Sequence, residues 1–284
     1  MSFLASRRGR PRLCRACGNL VGAEADDCSY CGAKDRFTTG LLRNPAILFG
    51  TFGPIRAIAV FILAYYALMV VADRLFVVTT DEDLLAFRSF VRFGYTPETL
   101  VRFGSLFPPF VDEGEWWRFV TPIFIHLGVI HLAFNTVALF QLGPYVEELY
   151  GRGKLLVVFL FSGIVSLVGM YVFGQGGAGA SGGLFGLIGA LVAYGVRMPT
   201  QFGQAVKSQA IQWAVYGVIM SIFFRASNTA HVSGLVAGFV FAYLLGPDEP
   251  RTEGERKTVG SLVWAGYGIV VVSFALMAAQ VGRA

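Results

Sequence analysis

Seven apolar runs, each near the length of a membrane-spanning helix, constrain this chain more than any other feature. They cover residues 55–72, 129–149, 155–173, 181–196, 210–224, 230–245 and 259–281. A spanning helix needs ~20 apolar residues, so 181–196 and 210–224 are short for the task. The chain is 55% hydrophobic and 14% charged, whereas a soluble domain carries about 25% charged residues. The expected fold class is an all-α polytopic membrane protein. Residues 1–35 are polar and arginine-rich, without the apolar centre of a cleavable signal peptide.

The net charge of +5 does not point to nucleic acid, because the excess sits beside the apolar runs. Arg7, Arg8, Arg10, Arg12, Arg15, Lys34, Arg36, Arg43 and Arg56 precede or open the first run. Threading seven spans places Arg152, Lys154, Arg197, Lys207, Arg251, Arg256 and Lys257 on that same side. The opposite side receives fewer: Arg74, Arg88, Arg92, Arg102, Arg118, Arg225 and Arg283. Lys and Arg collect on the cytoplasmic side, which predicts a cytoplasmic N-terminus and an external C-terminus. Residues 73–128 then lie outside. Their many aromatics, Trp116 and Trp117 among them, suit a segment in the outer interface; an ordinary small extracellular fold is the alternative.

The head carries four cysteines. Cys14 and Cys17 are two residues apart, as are Cys28 and Cys31, and each pair is followed by glycine (Gly18, Gly32). Two such knuckles place four thiolates around one tetrahedral zinc ion at ~2.3 Å. So short a segment cannot bury a sufficient core without a metal. Two disulfides or a redox pair are the alternatives. A reducing cytosol disfavours the first, and the absence of a βαβ pattern disfavours the second. Residues 12–36 resemble the small zinc ribbons of many prokaryotic membrane proteins, a likeness that implies no particular activity. The domains expected are a cytoplasmic zinc-ribbon-like segment (1–40), a linker (41–54), a helical core (55–249) and a linker with the seventh helix (250–284).

The polar residues inside the apolar runs fall at one level. The runs at 129, 181 and 230 all pass inward. His126, His131 and Asn135 lie at the outer end of the first of these, Ser181 at the start of the second, and His231 at the start of the third. Polar side chains at membrane depth are costly and face a cavity or a partner. Gly182, Gly186 and Ala190 form one stripe of small residues, and Ala230, Gly234, Gly238 and Ala242 another. Such stripes let two helix backbones approach closely, which would bring Ser181 and His231 to hydrogen-bonding distance. Taken singly, each stripe is more readily explained as helix packing.

That pairing predicts nucleophilic catalysis. A serine hydroxyl attacks once a base takes its proton, and a neutral His231 could take it and return it to the leaving amine. The outer halves of these runs contain no Asp or Glu, so a Ser–His dyad is expected rather than a triad. Phe185, one turn after Ser181, could orient the imidazole by stacking. Asn135, His131 and the Ser181 amide are candidates to stabilise the oxyanion. Gly179 and the glycines before it let the backbone approach a substrate.

The pattern resembles the rhomboid family of intramembrane serine proteases. The matching pieces are Trp117-Arg118; His126, His131 and Asn135 as HxxxxHxxxN; Glu147 with Gly151; Gly179-Ala180-Ser181-Gly182 as GxSG; and Ala230-His231 with Gly234 and Gly238 as AHxxGxxxG. The resemblance covers about residues 55–246 and implies a six-helix rhomboid-like bundle, here with one further C-terminal helix. It implies Ser181 as nucleophile, His231 as base, and His131, Asn135 and the Ser181 backbone as oxyanion stabilisers. His126 would assist the oxyanion site or water. Trp117-Arg118 and Glu147 would be structural. The implied reaction is hydrolysis of peptide bonds in or beside the transmembrane segments of single-pass membrane proteins, reached between helices. No cofactor is expected for catalysis, and Zn2+ is expected only in the head, which could also bind a cytoplasmic partner. The expected location is a prokaryotic plasma membrane, with the lipid bilayer as partner and no nucleic acid. Phe185 stands where some members carry tyrosine. The alternatives are a catalytically idle relative that binds or escorts membrane proteins, and a transporter, which the lack of an evident inverted repeat disfavours.

Overall fold

The computed structural model describes residues 12–13, 20–21, 53–76, 95–224 and 226–281. Cys14, Cys17, Cys28 and Cys31, most of the 41–54 linker and residues 77–94 lie outside them. Two short strands, β1 (Arg12–Leu13) and β2 (Leu20–Val21), pair antiparallel with Leu13 opposite Leu20. Cys14 and Cys17 fall between them in sequence.

The described helices are α1 (Gly53–Phe76), α2 (Pro97–Arg102), α3 (Pro108–Asp112), α4 (Val129–Tyr150), α5 (Arg152–Val172), α6 (Ser181–Arg197), α7 (Gln201–Phe224), α8 (Asn228–Leu245) and α9 (Glu253–Val281). Five of them (α1, α4, α5, α8 and α9) are long and apolar enough to cross a membrane. The protein is therefore a multi-pass integral membrane protein. One boundary departs from expectation: α7 starts at Gln201 rather than at 210. Its first turns carry Gln204, Lys207 and Gln209, which are good helix formers without being apolar. Thr200 caps them, its hydroxyl accepting from the Gly203 N–H at 3.1 Å.

Helix α6 is the centre of the bundle, packed by α4, α5, α7 and α8. Leu184, Phe185, Leu187, Ile188 and Leu191 are all buried, so apolar residues occupy every face. Such a helix belongs in a protein interior. Its tightest neighbour is α8. A Cβ on Gly234 would lie 2.1 Å from the Gly182 carbonyl oxygen, and one on Gly238 2.0 Å from that of Gly186. The two stripes of small residues therefore meet backbone to backbone.

The other end of α8 is held by Lys154. Its ammonium donates to the carbonyls of Leu245, Gly246 and Asp248 at 2.8–2.9 Å. These groups belong to a helix end, which leaves its last carbonyls without intrahelical partners. Outward-facing side chains of α4 and α7, such as Val137, Phe140, Val215 and Ile219, are exposed, as a lipid-facing surface requires.

Residues 95–128 form a compact collar built from α2, α3 and two 3-10 turns, Trp116–Phe119 and Thr121–Phe124. The Asp73 carboxylate, fully buried at the end of α1, accepts from the Thr96 N–H and hydroxyl (2.8 Å each) and from the Thr99 hydroxyl (2.7 Å). Buried Arg118 donates to the carbonyls of Val101 and Ser105 at 2.8 Å and pairs with Glu115. Tyr95 donates to the His126 carbonyl, and burial pushes its phenol pKa up, so it stays a donor. Helix α9 braces the collar. Phe274 meets Phe61, Tyr65 and Phe124 edge-on or tilted, while the Tyr65 hydroxyl bridges the Phe103 carbonyl and the Met277 sulfur.

Candidate active site

Ser181 opens α6 after a loop pinned to the collar. Leu106 and Gly177 exchange two backbone hydrogen bonds at 3.0 Å, and the Gly179 N–H donates to the Pro122 carbonyl at 2.9 Å. Gly179 has φ +149°, and a Cβ there would lie 2.7 Å from His131 Cε1. Both the backbone conformation and the space require glycine. No side chain caps α6, so its first amides and the positive end of its dipole remain available at the loop.

His231 sits in the first turn of α8. Ser227 is the N-cap, its hydroxyl accepting from the Ala230 N–H at 3.2 Å, and this sets where the helix starts. His231 Nε2 lies 3.0 Å from Ser181 Oγ. The Phe185 ring stacks on the imidazole at 4.2 Å between centroids, 7° from parallel. If Nε2 accepts from the serine, the ring proton is on Nδ1, which is buried without a hydrogen-bond partner. Among the described residues, none lining the surrounding cavity is Asp or Glu.

The α4 side completes the surroundings. The Leu127 N–H donates to His131 Nδ1 at 3.2 Å, so a neutral His131 carries its proton on Nε2. That nitrogen and Ser181 Oγ flank one point: a Cβ on Gly179 would be 3.1 Å from the first and 3.8 Å from the second. Asn135 Nδ2 donates to the His131 carbonyl at 2.8 Å, leaving its second N–H for a ligand. His131, Asn135, Gly179, Ser181 and His231 line one cavity of about 1120 Å³, walled by α4, α5, α6, α7, α8 and the loop. His126 stands elsewhere. It is fully buried behind His131, with ring centroids 5.2 Å apart, and is not on the cavity wall. Among the described residues no cluster of His, Cys, Asp or Glu could hold a metal ion.

Three polar residues beside the Ser181–His231 contact carried no expectation from sequence. The Gln175 side chain donates to the Thr229 hydroxyl at 3.1 Å and accepts from the Ser227 hydroxyl at 2.7 Å. The only local signal was Ser227, a favoured N-cap type ahead of the Ala230-His231 run.

A nucleophile, a base and uncapped helix amides around one cavity can perform acyl transfer. A family model for the rhomboid domain matches residues 113–248. The putative rhomboid protease YdcA of Bacillus subtilis is 36% identical over 138 residues, which are 47% of this chain and 69% of YdcA. The chain belongs to the rhomboid family. Rhomboid protease GluP of the same bacterium is 37% identical over 164 residues, 56% of this chain and 32% of GluP. Rhomboid protease GlpG of Pectobacterium atrosepticum is 30% identical over 141 residues, 48% of this chain and 51% of GlpG. The chain thus spans about a third of GluP and about half of GlpG. In this rhomboid the matched domain runs from the collar to the end of α8 and leaves out α1, α9 and the cysteine-bearing head.

Proposed function

We propose that this rhomboid is an intramembrane serine endopeptidase working through a Ser181–His231 dyad. The observation that carries the reading is the 3.0 Å contact between Ser181 Oγ and His231 Nε2 on the wall of the cavity. His231 takes the Ser181 proton as Oγ attacks the scissile carbonyl carbon. The carbonyl oxygen becomes an oxyanion, stabilised by the first amides of α6, His131 Nε2–H and the free N–H of Asn135. The intermediate collapses, His231 passes its proton to the departing nitrogen, and the acyl group remains on Ser181 as an ester. A water loses a proton to His231, attacks the ester and releases a carboxylate, and His231 returns its proton to Ser181. Lacking an acidic partner, His231 is oriented by its stack on Phe185. His126 supports His131 from behind.

The substrates are transmembrane segments of single-pass proteins, reached between helices from the bilayer. Six helices (α1 and α4–α8) form the catalytic core, α9 is an added span, the N-terminus is cytoplasmic and the active site faces outward. The head binds one structural zinc through Cys14, Cys17, Cys28 and Cys31, supported by their spacing.

The test compares wild type, Ser181→Ala and His231→Ala on a reporter with a helix-destabilised transmembrane segment. The expected result is cleavage by wild type and loss by at least about 10³-fold in both variants. Undiminished cleavage by Ser181→Ala would remove the nucleophile assignment.

A further inference from the structure

The dyad joins two elements 50 residues apart in sequence, and its geometry depends on how the nucleophile's loop sits against the start of the base's helix. Gln175 lies in that loop, six residues before Ser181, and Ser227 and Thr229 lie just ahead of His231. Each end of the Gln175 amide is used. Its oxygen accepts from Ser227 Oγ at 2.7 Å and its nitrogen donates to Thr229 Oγ1 at 3.1 Å. Ser227 Oγ also accepts from the Ala230 N–H, so its own proton is free for Gln175 and the donor pattern is consistent throughout.

The loop needs such a tie. Phe173, Gly174 and Gly176 are exposed, and a glycine-rich segment loses much conformational freedom on ordering. Its backbone bonds to Leu106 and Pro122 fix it to the collar, which is a different body from α8. Below the dyad, the Gly182–Gly234 contact fixes helix spacing but leaves the loop above it free to shift. Two side-chain bonds from one planar amide set the distance and the angle between the loop and the first turn of α8.

Resting on the dyad reading above, we infer that Gln175, through Ser227 and Thr229, is a positioning residue that holds the Ser181 loop in register with His231. Gln175 need not touch the scissile bond. Its loss lowers the fraction of time that Oγ and Nε2 are in contact, so it slows any reaction of Ser181, with or without a transmembrane substrate.

The experiment uses the full chain in detergent, as wild type, Gln175→Leu, Thr229→Val, the double variant of these two, and Ser181→Ala. Three assays are run: the rate of Ser181 labelling by a small fluorophosphonate, steady-state cleavage of the reporter for kcat and KM, and thermal unfolding. Gln175→Leu is expected to slow labelling and kcat together by about tenfold or more, with KM within about twofold. Thr229→Val, nearly isosteric and missing one bond, is expected to slow both by a smaller factor. The double variant should be no slower than Gln175→Leu, because the two residues act through one contact. Labelling and kcat near wild type in Gln175→Leu overturn the inference. So does a rise in KM with normal labelling, which would make Gln175 a substrate contact. If Gln175→Leu does not fold, Thr229→Val alone decides by the same two readouts. Labelling of Ser181→Ala as fast as wild type would instead remove the dyad reading itself.

Discussion

Replacing Gly234 with alanine perturbs the dyad without touching either member. Gly234 lies one helical turn after His231 and faces Gly182, the residue after Ser181. A Cβ there would stand 2.1 Å from the Gly182 carbonyl oxygen and 2.9 Å from its carbon. Carbon–oxygen contacts settle at about 3.3 Å or more, so α8 must retreat from α6 by about 1 Å. The obstacle is backbone on both sides, so no side-chain rotation relieves it. The Ser181–His231 contact of 3.0 Å then opens toward about 4 Å, beyond hydrogen-bonding range. A displacement of ~1 Å in a catalytic pair costs on the order of 10²-fold in rate. Overpacking also lowers stability by about 1–3 kcal/mol.

The assay is reporter cleavage and fluorophosphonate labelling of Gly234→Ala beside Gly268→Ala. A Cβ on Gly268, in α9, meets nothing within 4 Å, so that variant keeps full activity and gains up to about 1 kcal/mol of helix stability. Gly234→Ala should lose about 10²-fold in kcat and in labelling while remaining folded at assay temperature. Activity within about twofold of wild type would refute the claim that backbone contact between α6 and α8 sets the dyad distance.

Phe185→Leu removes the ring stacked on His231 and should lower kcat by about tenfold, whereas Phe185→Tyr keeps the stack and most of the rate; the aromatic contact is worth about 0.5–1.5 kcal/mol. Asp73→Ala leaves three collar donors without their acceptor and should lower stability by on the order of 3 kcal/mol, read as an earlier thermal unfolding transition. Metal analysis of wild type against the Cys14→Ser, Cys17→Ser double variant should find about one zinc per chain in the first and none in the second. Equal zinc in both would exclude the proposed site.

Ser181, His131, Asn135 and His231 stood out in the sequence because each is polar within an apolar run, and their level followed from run order and orientation. The stripes of small residues were equally visible, and they meet as helix spacing required. The start of α7 was not visible, since Gln201–Lys207 carries helix propensity without hydrophobic periodicity. Nor was the Gln175–Ser227–Thr229 link, because a hydrogen bond between residues more than 50 apart leaves no local pattern. The collar was legible as an aromatic-rich segment with Trp117-Arg118 as a structural pair, but not in its detailed order. Its order depends on single buried groups, Asp73 and Arg118, whose backbone and side-chain partners are brought to them by the tertiary fold. His126 shows the opposite limit: its level at the outer end of the run and the family resemblance suggested a place beside the oxyanion site, but the turn before α4 directs the ring behind His131.

Among the described residues, no carboxylate stands behind His231 and none on the cavity wall is acidic, which has a physical reason and a consequence. Burying an ionised acid beside α6 and α8 would carry a desolvation penalty of several kcal/mol. The imidazole is held instead by its stack on Phe185, by backbone contact between α6 and α8 below it, and by the loop tie above it. These constraints are packing contacts and neutral hydrogen bonds, all short-ranged, whereas a carboxylate acts through charge and tolerates small shifts in distance. The competence of this site therefore rests on helix packing. A single methyl group at the α6–α8 contact should cost as much rate as the loss of an oxyanion donor does in a triad enzyme, about 10²–10³-fold.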